Sequence, residues 1–530
     1  MTIAEYIAGF LRDKGVRYVF GIPGGPSIPY MEAFRAAGIE FILAANESSA
    51  GIMADVTARL SGVPGVCHST FGPGATNIST GVGEALLDRS PVIVFTSEMG
   101  DDMLGRTTQM NISHQKLFEP VTKATYRLSA SNVAGVLNDA LRICSEEYPG
   151  PVHIGLPSGL ANVEMRDFIN EEPGFSKSSF NNDYENIISF LERSRRPLLA
   201  IGLTAARHHL GKQILGFLSD YPMPVVLTPM AKGLIPEDHA CYAGVLFHSL
   251  SDYLEDIYEK TDLIIGLGYD PVEFNYESWA GKLPLVHFDV KETDFPQEMI
   301  RATYAGPPEE WFRLLRNLTL GSLVFEKELV RSVRDEMMAV FNGFTGHFGP
   351  AAAMNILREE LPQNAIITAD VGSHLHLLGQ FWNTGGKQNL LMTNGWSGMG
   401  FGLPAALAAQ LHSPDSTVVC ITGDGGFLMM AGEVITARRY NLPVIIVVFS
   451  DGELNLIKVK QSWKDLPPYS TILYRGDLFD STAFFGIRVI NADSDETMQS
   501  AVIEALSVNE PVIINAVINP EDYKWLIVKR

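Results

Sequence analysis

The sequence predicts an α/β protein of three doubly wound parallel-sheet domains in a row. Three observations predict it. Apolar runs of strand length alternate with helical patterns along the whole chain. Clusters of Gly, Pro and small polar residues bound those runs. Two polar breaks divide the chain at spacings a single domain fills, and 530 residues is room for three or four domains. The expected domains are residues 1–170, 185–342 and 348–530.

In the first domain Val16–Phe20 reads as a strand ending in Gly21-Ile22-Pro23-Gly24-Gly25. Phe41–Ala45 is the next strand, and Glu47 follows at the head of a helix to about Leu60. Gly65–Ser69 is a third strand, ending near Gly72-Pro73-Gly74; a helix to about Leu87 leads to the strand Val92–Thr96, and Val152–Leu156 comes later. The polar stretch from Glu171 to Asp183 reads as a linker. The second domain begins near Asn186, with strands at Pro197–Ile201, Pro224–Leu227, Leu263–Leu267 and Pro284–Phe288. A second break spans Gly343 to Gly349. The third domain has strands at Ala365–Thr368, Thr417–Thr422, Pro443–Ser450 and Val512–Val517. Its rhythm is similar to that of the first, without a residue-level repeat.

Composition narrows the function classes. With 46% hydrophobic and 19% charged residues, the chain buries several cores and is not disordered. A formal charge of −21 argues against nucleic-acid binding through a basic surface and against docking on an anionic membrane. The four cysteines, Cys67, Cys144, Cys241 and Cys420, form no CxxC pair, so a cysteine zinc site is not expected. Their apolar neighbours suggest buried free thiols in a reducing compartment. The first residues lack the charged and apolar regions of a signal peptide, and no apolar run reaches the roughly 20 residues that span a bilayer. A cytosolic protein is the expectation.

The most specific local signal is Gly423-Asp424-Gly425-Gly426, followed 27 residues after Asp424 by Asp451. An apolar strand runs into the glycines, and a helical pattern follows them to Tyr440. Glycines at a strand end let backbone N–H groups approach an anion, and a helix N-terminus adds partial positive charge. Asp424 at that point repels a phosphate unless a cation lies between them. A hard cation with oxygen ligands, magnesium above all, resolves the conflict. The strand Pro443–Ser450 ends beside Asp451, and adjacent parallel strand ends share one face, so Asp451 can reach the same ion. Either Asp alone would also serve as a turn cap; the pairing favours the metal.

With these residues the chain resembles the thiamine diphosphate-dependent decarboxylase and carboligase superfamily, in particular its acetolactate synthase and benzaldehyde lyase branches. The resemblance runs over essentially the whole length, in the order pyrimidine-binding, central and diphosphate-binding domains. Gly72-Pro73-Gly74-Ala75-Thr76-Asn77 and Gly395-Trp396-Ser397-Gly398-Met399-Gly400 are similar to two further family motifs. Many members carry Asn where this chain has Asp451; catabolic acetolactate synthases carry Asp there. The resemblance implies thiamine diphosphate and Mg2+ as cofactors. Asp424, Asp451 and the backbone carbonyl of Glu453 would hold the metal. Ser373, His374, Gly423, Gly425 and Gly426 would bind the diphosphate end. Ser397 and Met399 would hold the aminopyrimidine, the Met399 side chain wedging the cofactor into a V shape.

The resemblance also gives Glu47 a role. Alone, a Glu at a helix start is most often a surface residue favoured by the helix dipole. The family's cofactor-activating Glu lies in a stretch like Asn46-Glu47-Ser48-Ser49-Ala50, where a buried carboxyl shares a proton with the pyrimidine N1′. Relatives often have His at the position of Asn46. Gln109 falls where benzaldehyde lyase has an active-site Gln, and a neutral amide there can bind a substrate carbonyl. His68 and His114 are further candidates, each with a structural reading beside it. Lys458 and Lys460 could neutralise a substrate carboxylate, or simply face solvent. Lys460 falls where anabolic acetohydroxyacid synthases carry Trp, and Pro26 falls where benzaldehyde lyase has a catalytic His. Gly266-Leu267-Gly268-Tyr269-Asp270 lacks the arginine-bearing pattern of FAD-binding synthases, so FAD is not expected.

The reaction implied is decarboxylation of a 2-keto acid and transfer of the acyl carbanion to a second carbonyl compound. The alternative is a decarboxylase or C–C lyase that releases an aldehyde. A silent cofactor-binding paralogue is a third reading, which the presence of Glu47 opposes. The family's active sites lie at subunit interfaces, so a homodimer or homotetramer is implied.

Overall fold

The structure is a computed structural model. It describes residues 1–165, 182–273, 283–293, 300–318, 323–344 and 346–527. The linker expected at 171–183 lies almost wholly outside the described residues.

Three α/β sheets are present, as the sequence predicts. The first orders its strands Glu40–Leu43, Tyr18–Ile22, Gly65–Ser69, Val92–Glu98, Val152–Pro157 and Ala124–Arg127, every neighbour parallel. The second runs Ile300–Ala305, Leu285–Asp289, Leu263–Leu267, Pro197–Ile201, Val225–Leu227 and Tyr242–Val245, again all parallel. The third runs Leu390–Leu391, Ile366–Ala369, Val418–Gly423, Ile445–Ser450, Val512–Val517, Ile487–Ala492 and Ala483–Phe484, with only the last pair antiparallel. Without that short hairpin strand, the first and third sheets share one order: second, first, third, fourth, sixth, fifth. The similar rhythm of the two sequences is thus a shared topology. The central sheet follows the other doubly wound order, 3-2-1-4-5-6.

The chain forms two compact units. One comprises Met1–Lys177, Gly395–Asp415 and Met429–Val444 and carries the first sheet; the other comprises Ser178–Asn394, Ser416–Leu428 and Ile445–Arg530 and carries the second and third.

The strands read most closely in the sequence are buried on both faces, although the half-exposed edge strand Glu40–Leu43 was also legible. Gly65–Ser69, Pro197–Ile201 and Leu263–Leu267 match their expected bounds, and every residue in them is buried. Such strands read as continuous apolar runs because helices cover both faces. Fully burying each Val, Leu or Ile contributes roughly 1.5–3 kcal/mol. The strands that sequence reading missed are short or peripheral. Ala124–Arg127 is half-buried throughout, and Ile487–Ala492 alternates buried with exposed positions. Tyr242–Val245, Ile300–Ala305, Leu390–Leu391 and Ala483–Phe484 lie at or beside sheet edges, where no long apolar run is required. The helical pattern expected from Asp424 to Tyr440 is two helices, Asp424–Met430 and Glu433–Arg439, separated at Ala431-Gly432. All four cysteines are buried free thiols. Among the described residues, no helix is long and apolar enough to cross a membrane.

Candidate active site

The Asp424 end is built by two paired strands of the third sheet. Gly423 pairs with Phe449 in the ladder, so Asp424 and Asp451 emerge just beyond adjacent strand ends. Asp424 begins the helix Asp424–Met430 and is buried. Its Oδ2 accepts from the N–H of Asp451 at 3.1 Å, the N–H of Gly452 at 2.7 Å and the hydroxyl of Tyr474 at 2.9 Å. Its Oδ1 accepts from the N–H of Gly425 at 2.8 Å. Gly452 has φ +77°, a left-handed conformation that glycine adopts without strain. Asp451 Oδ1 accepts from the N–H of Glu453 at 3.1 Å. The Glu453 carbonyl turns back to accept from Asn455 N–H at 3.0 Å, and its side chain pairs with Lys458.

The electrostatics of this corner fit a cation. Burial raises the pKa of Asp424. Burial, then the charge of Asp424, pushes that of Asp451 up to about 7. Two crowded carboxylates and a carbonyl two residues on form an all-oxygen donor set, the chemistry a hard dication takes. Beside them the helix Ser373–Phe381 presents its N-terminus. Ser373 Oγ and His374 Nε2 are buried there with no hydrogen-bond partner among the described residues. Burial lowers the His374 pKa to about 4, leaving a neutral ring. Unsatisfied polar atoms at a helix N-terminus suit a phosphate group. The glycines keep the space open: a Cβ on Gly423 would lie 3.3 Å from the His374 ring, and one on Gly426 2.5 Å from Asp370 Oδ2.

Glu47 lies in the other unit. It is the first residue of the helix Glu47–Ser61, capped by Asn46, whose side chain accepts from Ser48 N–H at 2.8 Å. Glu47 is buried, and Oε2 accepts from the Asn77 side-chain amide at 3.0 Å. Asn77 belongs to the helix Pro73–Leu87, and a Cβ on Gly74 of that helix would reach 3.4 Å from Glu47 Oε1. The Gly72-to-Asn77 motif therefore delivers both an amide donor and a close approach. The turn carrying Ser397 and Met399 belongs to the same unit. Gly395 N–H donates to Asp88 Oδ1 at 3.0 Å, and a Cβ on Gly83 would lie 2.8 Å from the Trp396 ring. Ser397 is exposed at φ +55°, and Met399 is half-buried.

Three family descriptions match in chain order. Thiamine pyrophosphate enzyme, N-terminal TPP binding domain, covers residues 1–117; the central domain covers 184–310; the C-terminal TPP binding domain covers 370–516. The chain belongs to the thiamine pyrophosphate enzymes. Among curated relatives, a probable acetolactate synthase large subunit of Methanocaldococcus jannaschii is 28% identical over 98% of this chain and 93% of its own. The isozyme 1 and isozyme 2 acetolactate synthase large subunits of Escherichia coli are each 27% identical, over 99% and 100% of this chain and 96% and 97% of theirs. The protein is thus a thiamine diphosphate-dependent enzyme of the carboligase and decarboxylase type.

For this thiamine pyrophosphate enzyme, the residues proposed to face the substrate divide into exposed and enclosed. Gln109 is exposed, in the loop between Asp101–Met103 and His114–Phe118. Lys460 is exposed as well. His114 is buried: its Nδ1 bonds the Thr96 hydroxyl at 2.7 Å, and the same hydroxyl bonds His153 Nε2 at 2.8 Å. Glu98, His114 and His153 bring one ligand atom each within 4.8 Å of one another, a cluster the sequence reading did not anticipate. Thr96 already bridges the two rings, and Arg127 pairs with Glu98 at 3.0 Å, so the group is satisfied internally. His68 is buried, with Nε2 2.6 Å from Ser27 Oγ, and burial holds its pKa near 4.

Sequence reasoning also missed Tyr474 and assigned no contact to Asn77. Tyr474 lies 50 residues beyond Asp424 in an aperiodic stretch, where nothing local points to a strand end. Asn77 was visible only as the last letter of a glycine motif.

Proposed function

We propose that the protein is an acetolactate synthase-type carboligase, decarboxylating a 2-keto acid and transferring the acyl carbanion to a second carbonyl compound. The observation that carries this reading is end-to-end similarity to acetolactate synthase large subunits in a chain that keeps Glu47 buried against Asn77. Asp424, Asp451 and the Glu453 carbonyl hold Mg2+. Ser373, His374 and the turn of Gly423, Gly425 and Gly426 hold the diphosphate. Ser397 and Met399 orient the aminopyrimidine. When bound, thiamine diphosphate supplies the electron sink for loss of the substrate carboxylate. Glu47 exchanges a proton with the aminopyrimidine through its carboxylate, held in place by the Asn77 amide. Gln109 reaches the substrate carbonyl from its exposed loop.

This reading takes residues 1–170, 185–342 and 348–530 as the pyrimidine-binding, central and diphosphate-binding domains of a cytoplasmic homodimer or homotetramer. FAD is left out of it. At the turns after two central strands, the buried Glu273 carboxylate already accepts from Leu203 N–H at 2.7 Å and Met230 N–H at 3.0 Å. An incoming phosphate would find these two N–H groups already taken.

The test is direct. Purified protein is supplied with thiamine diphosphate, Mg2+ and pyruvate, and acetolactate and acetaldehyde are both quantified. Acetolactate as the main product supports carboligation. Acetaldehyde alone means decarboxylation without transfer. No turnover across a broad panel of 2-keto acids sinks both.

A further inference from the structure

We propose that Glu433 is a positioning residue for Glu47, setting the turn from which that carboxylate is presented. The inference rests on the reading of Glu47 as the proton-exchanging group. Glu433 lies nine residues after Asp424 in sequence, at the start of the helix Glu433–Arg439. It is fully buried, and its Oε1 accepts from the N–H groups of both Ala45 and Asn46, at 2.9 and 3.0 Å. These are the two residues between the strand Glu40–Leu43 and its neighbour Ala44, on one side, and Glu47 on the other. A strand-to-helix turn needs such an acceptor because the first N–H groups of the helix and its approach lack intrahelical partners.

The same segment grips the turn at further points. Tyr440 Oη accepts from Leu43 N–H at 2.8 Å, and the Arg439 guanidinium donates to the Leu43 carbonyl at 2.7 Å. On the far side of Glu47, Ser49 Oγ lies 3.2 Å from Met430 Sδ. A Cβ on Gly432 would come within 3.2 Å of Ala45 Cβ, so the helix approaches the turn as closely as a glycine allows. Residues Met430 to Tyr440 thus hold the chain before and after Glu47. Asn46 adds the helix cap, which fixes the direction in which the first helical side chain leaves. Glu433 supplies the buried acceptor in this clasp, one oxygen serving two N–H groups. Its loss releases two N–H groups at once, directly beside the group whose placement governs proton exchange.

The test compares Glu433→Ala with Glu433→Gln, which keeps an acceptor oxygen, and with Glu433→Asp, which withdraws the carboxylate by one methylene. Amide hydrogen exchange over residues 43–47 is read in the cofactor-free protein, and kcat and KM for pyruvate in the loaded enzyme. Glu433→Ala is expected to speed exchange and to lower kcat by about 10- to 100-fold with KM little changed, the loss that sub-ångström misplacement brings. Glu433→Gln is expected to restore most of both, and Glu433→Asp to fall between. If Glu433→Ala does not fold, the Asp and Gln variants decide alone: wild-type exchange and kcat in Glu433→Asp overturn the proposal. Unchanged exchange in Glu433→Ala overturns it too, as does faster exchange with wild-type kcat. Glu47→Gln is assayed in parallel. Full activity there refutes the reading of Glu47, whereas the exchange data report on Glu433 whatever that result.

Discussion

Glu47 and Asp424 both follow parallel strands, Glu47 the edge strand of the first sheet and Asp424 an inner strand of the third. Each is the first residue of a helix just beyond a parallel strand, and each is buried. Their hydrogen bonding differs. Asp424 accepts from four donors, three of them on one oxygen. Among the described residues, Glu47 accepts from one, the Asn77 amide. The difference fits the two roles proposed for these carboxylates. For a group proposed to hold a cation, N–H and O–H donors favour the ionised form and offset part of the upward push of burial. A group that gains and loses a proton has to keep an oxygen open for it.

The largest effect expected from this contrast is on turnover. Glu47→Gln should lower kcat by about 10²- to 10⁴-fold, the range of general acid–base catalysis, while thiamine diphosphate and Mg2+ are retained as in the wild type. Cofactor titration by tryptophan fluorescence beside steady-state kinetics measures both. Loss of cofactor in that variant would mean that Glu47 is a holding group after all.

Asp424→Asn should do the reverse and weaken retention of cofactor and metal by about 100-fold, since even indirect ligand supports cost 10- to 100-fold. Isothermal titration of Mg2+ into the variant with diphosphate present is the check; binding like the wild type's would remove Asp424 from the metal site.

Two smaller changes probe the donors. Tyr474→Phe removes one donor from Asp424 and should cost about 1.5–3 kcal/mol in urea unfolding, the range for a hydrogen bond to a charged group. Asn77→Ala leaves Glu47 without its amide and should cut kcat by roughly tenfold, in keeping with one hydrogen bond to a charge. If the two variants exchange phenotypes, the contrast between a held and an open carboxylate fails.

The smallest expected effect is the acid dependence of stability. Burial lowers the pKa values of His68, His114 and His374 from 6.5 to about 4, so the folded state holds these rings neutral. The unfolded chain takes up protons first. The associated stability is fully present above pH 6.5 and is lost as pH falls toward 4. Urea midpoints of the cofactor-free protein should drop over that window, and His68→Gln should flatten the drop. A flat wild-type profile would show that these histidines are not held neutral.

The closest matches in the fold were buried strands, with the edge strand Glu40–Leu43 an exception. Leu263–Leu267 and Pro197–Ile201 could be read to the residue because helices cover both faces and demand unbroken apolar runs. Ala124–Arg127 left no such trace, because an edge strand is satisfied by hydrogen bonds that any side chain permits. Of the residues the sequence proposes for the site, the structure gathers Asp424, Asp451, Ser373 and His374 where two strand ends and a helix N-terminus meet. His114, a candidate to face the substrate, is buried and bonds the Thr96 hydroxyl.

What the sequence determined by itself is local: which runs become strands, where glycine opens a strand end to an anion, and which carboxylates follow strands. These follow from side-chain volume, backbone freedom and spacing along the chain. Only the tertiary structure decided which donors reach each carboxylate. Asn77 comes to Glu47 from 30 residues away, Tyr474 to Asp424 from 50, and Glu433 to the Ala45–Asn46 turn from 387 and 388. A hydrogen bond requires an approach within about 3 Å, and sequence separation carries no information about that distance until the sheets have formed.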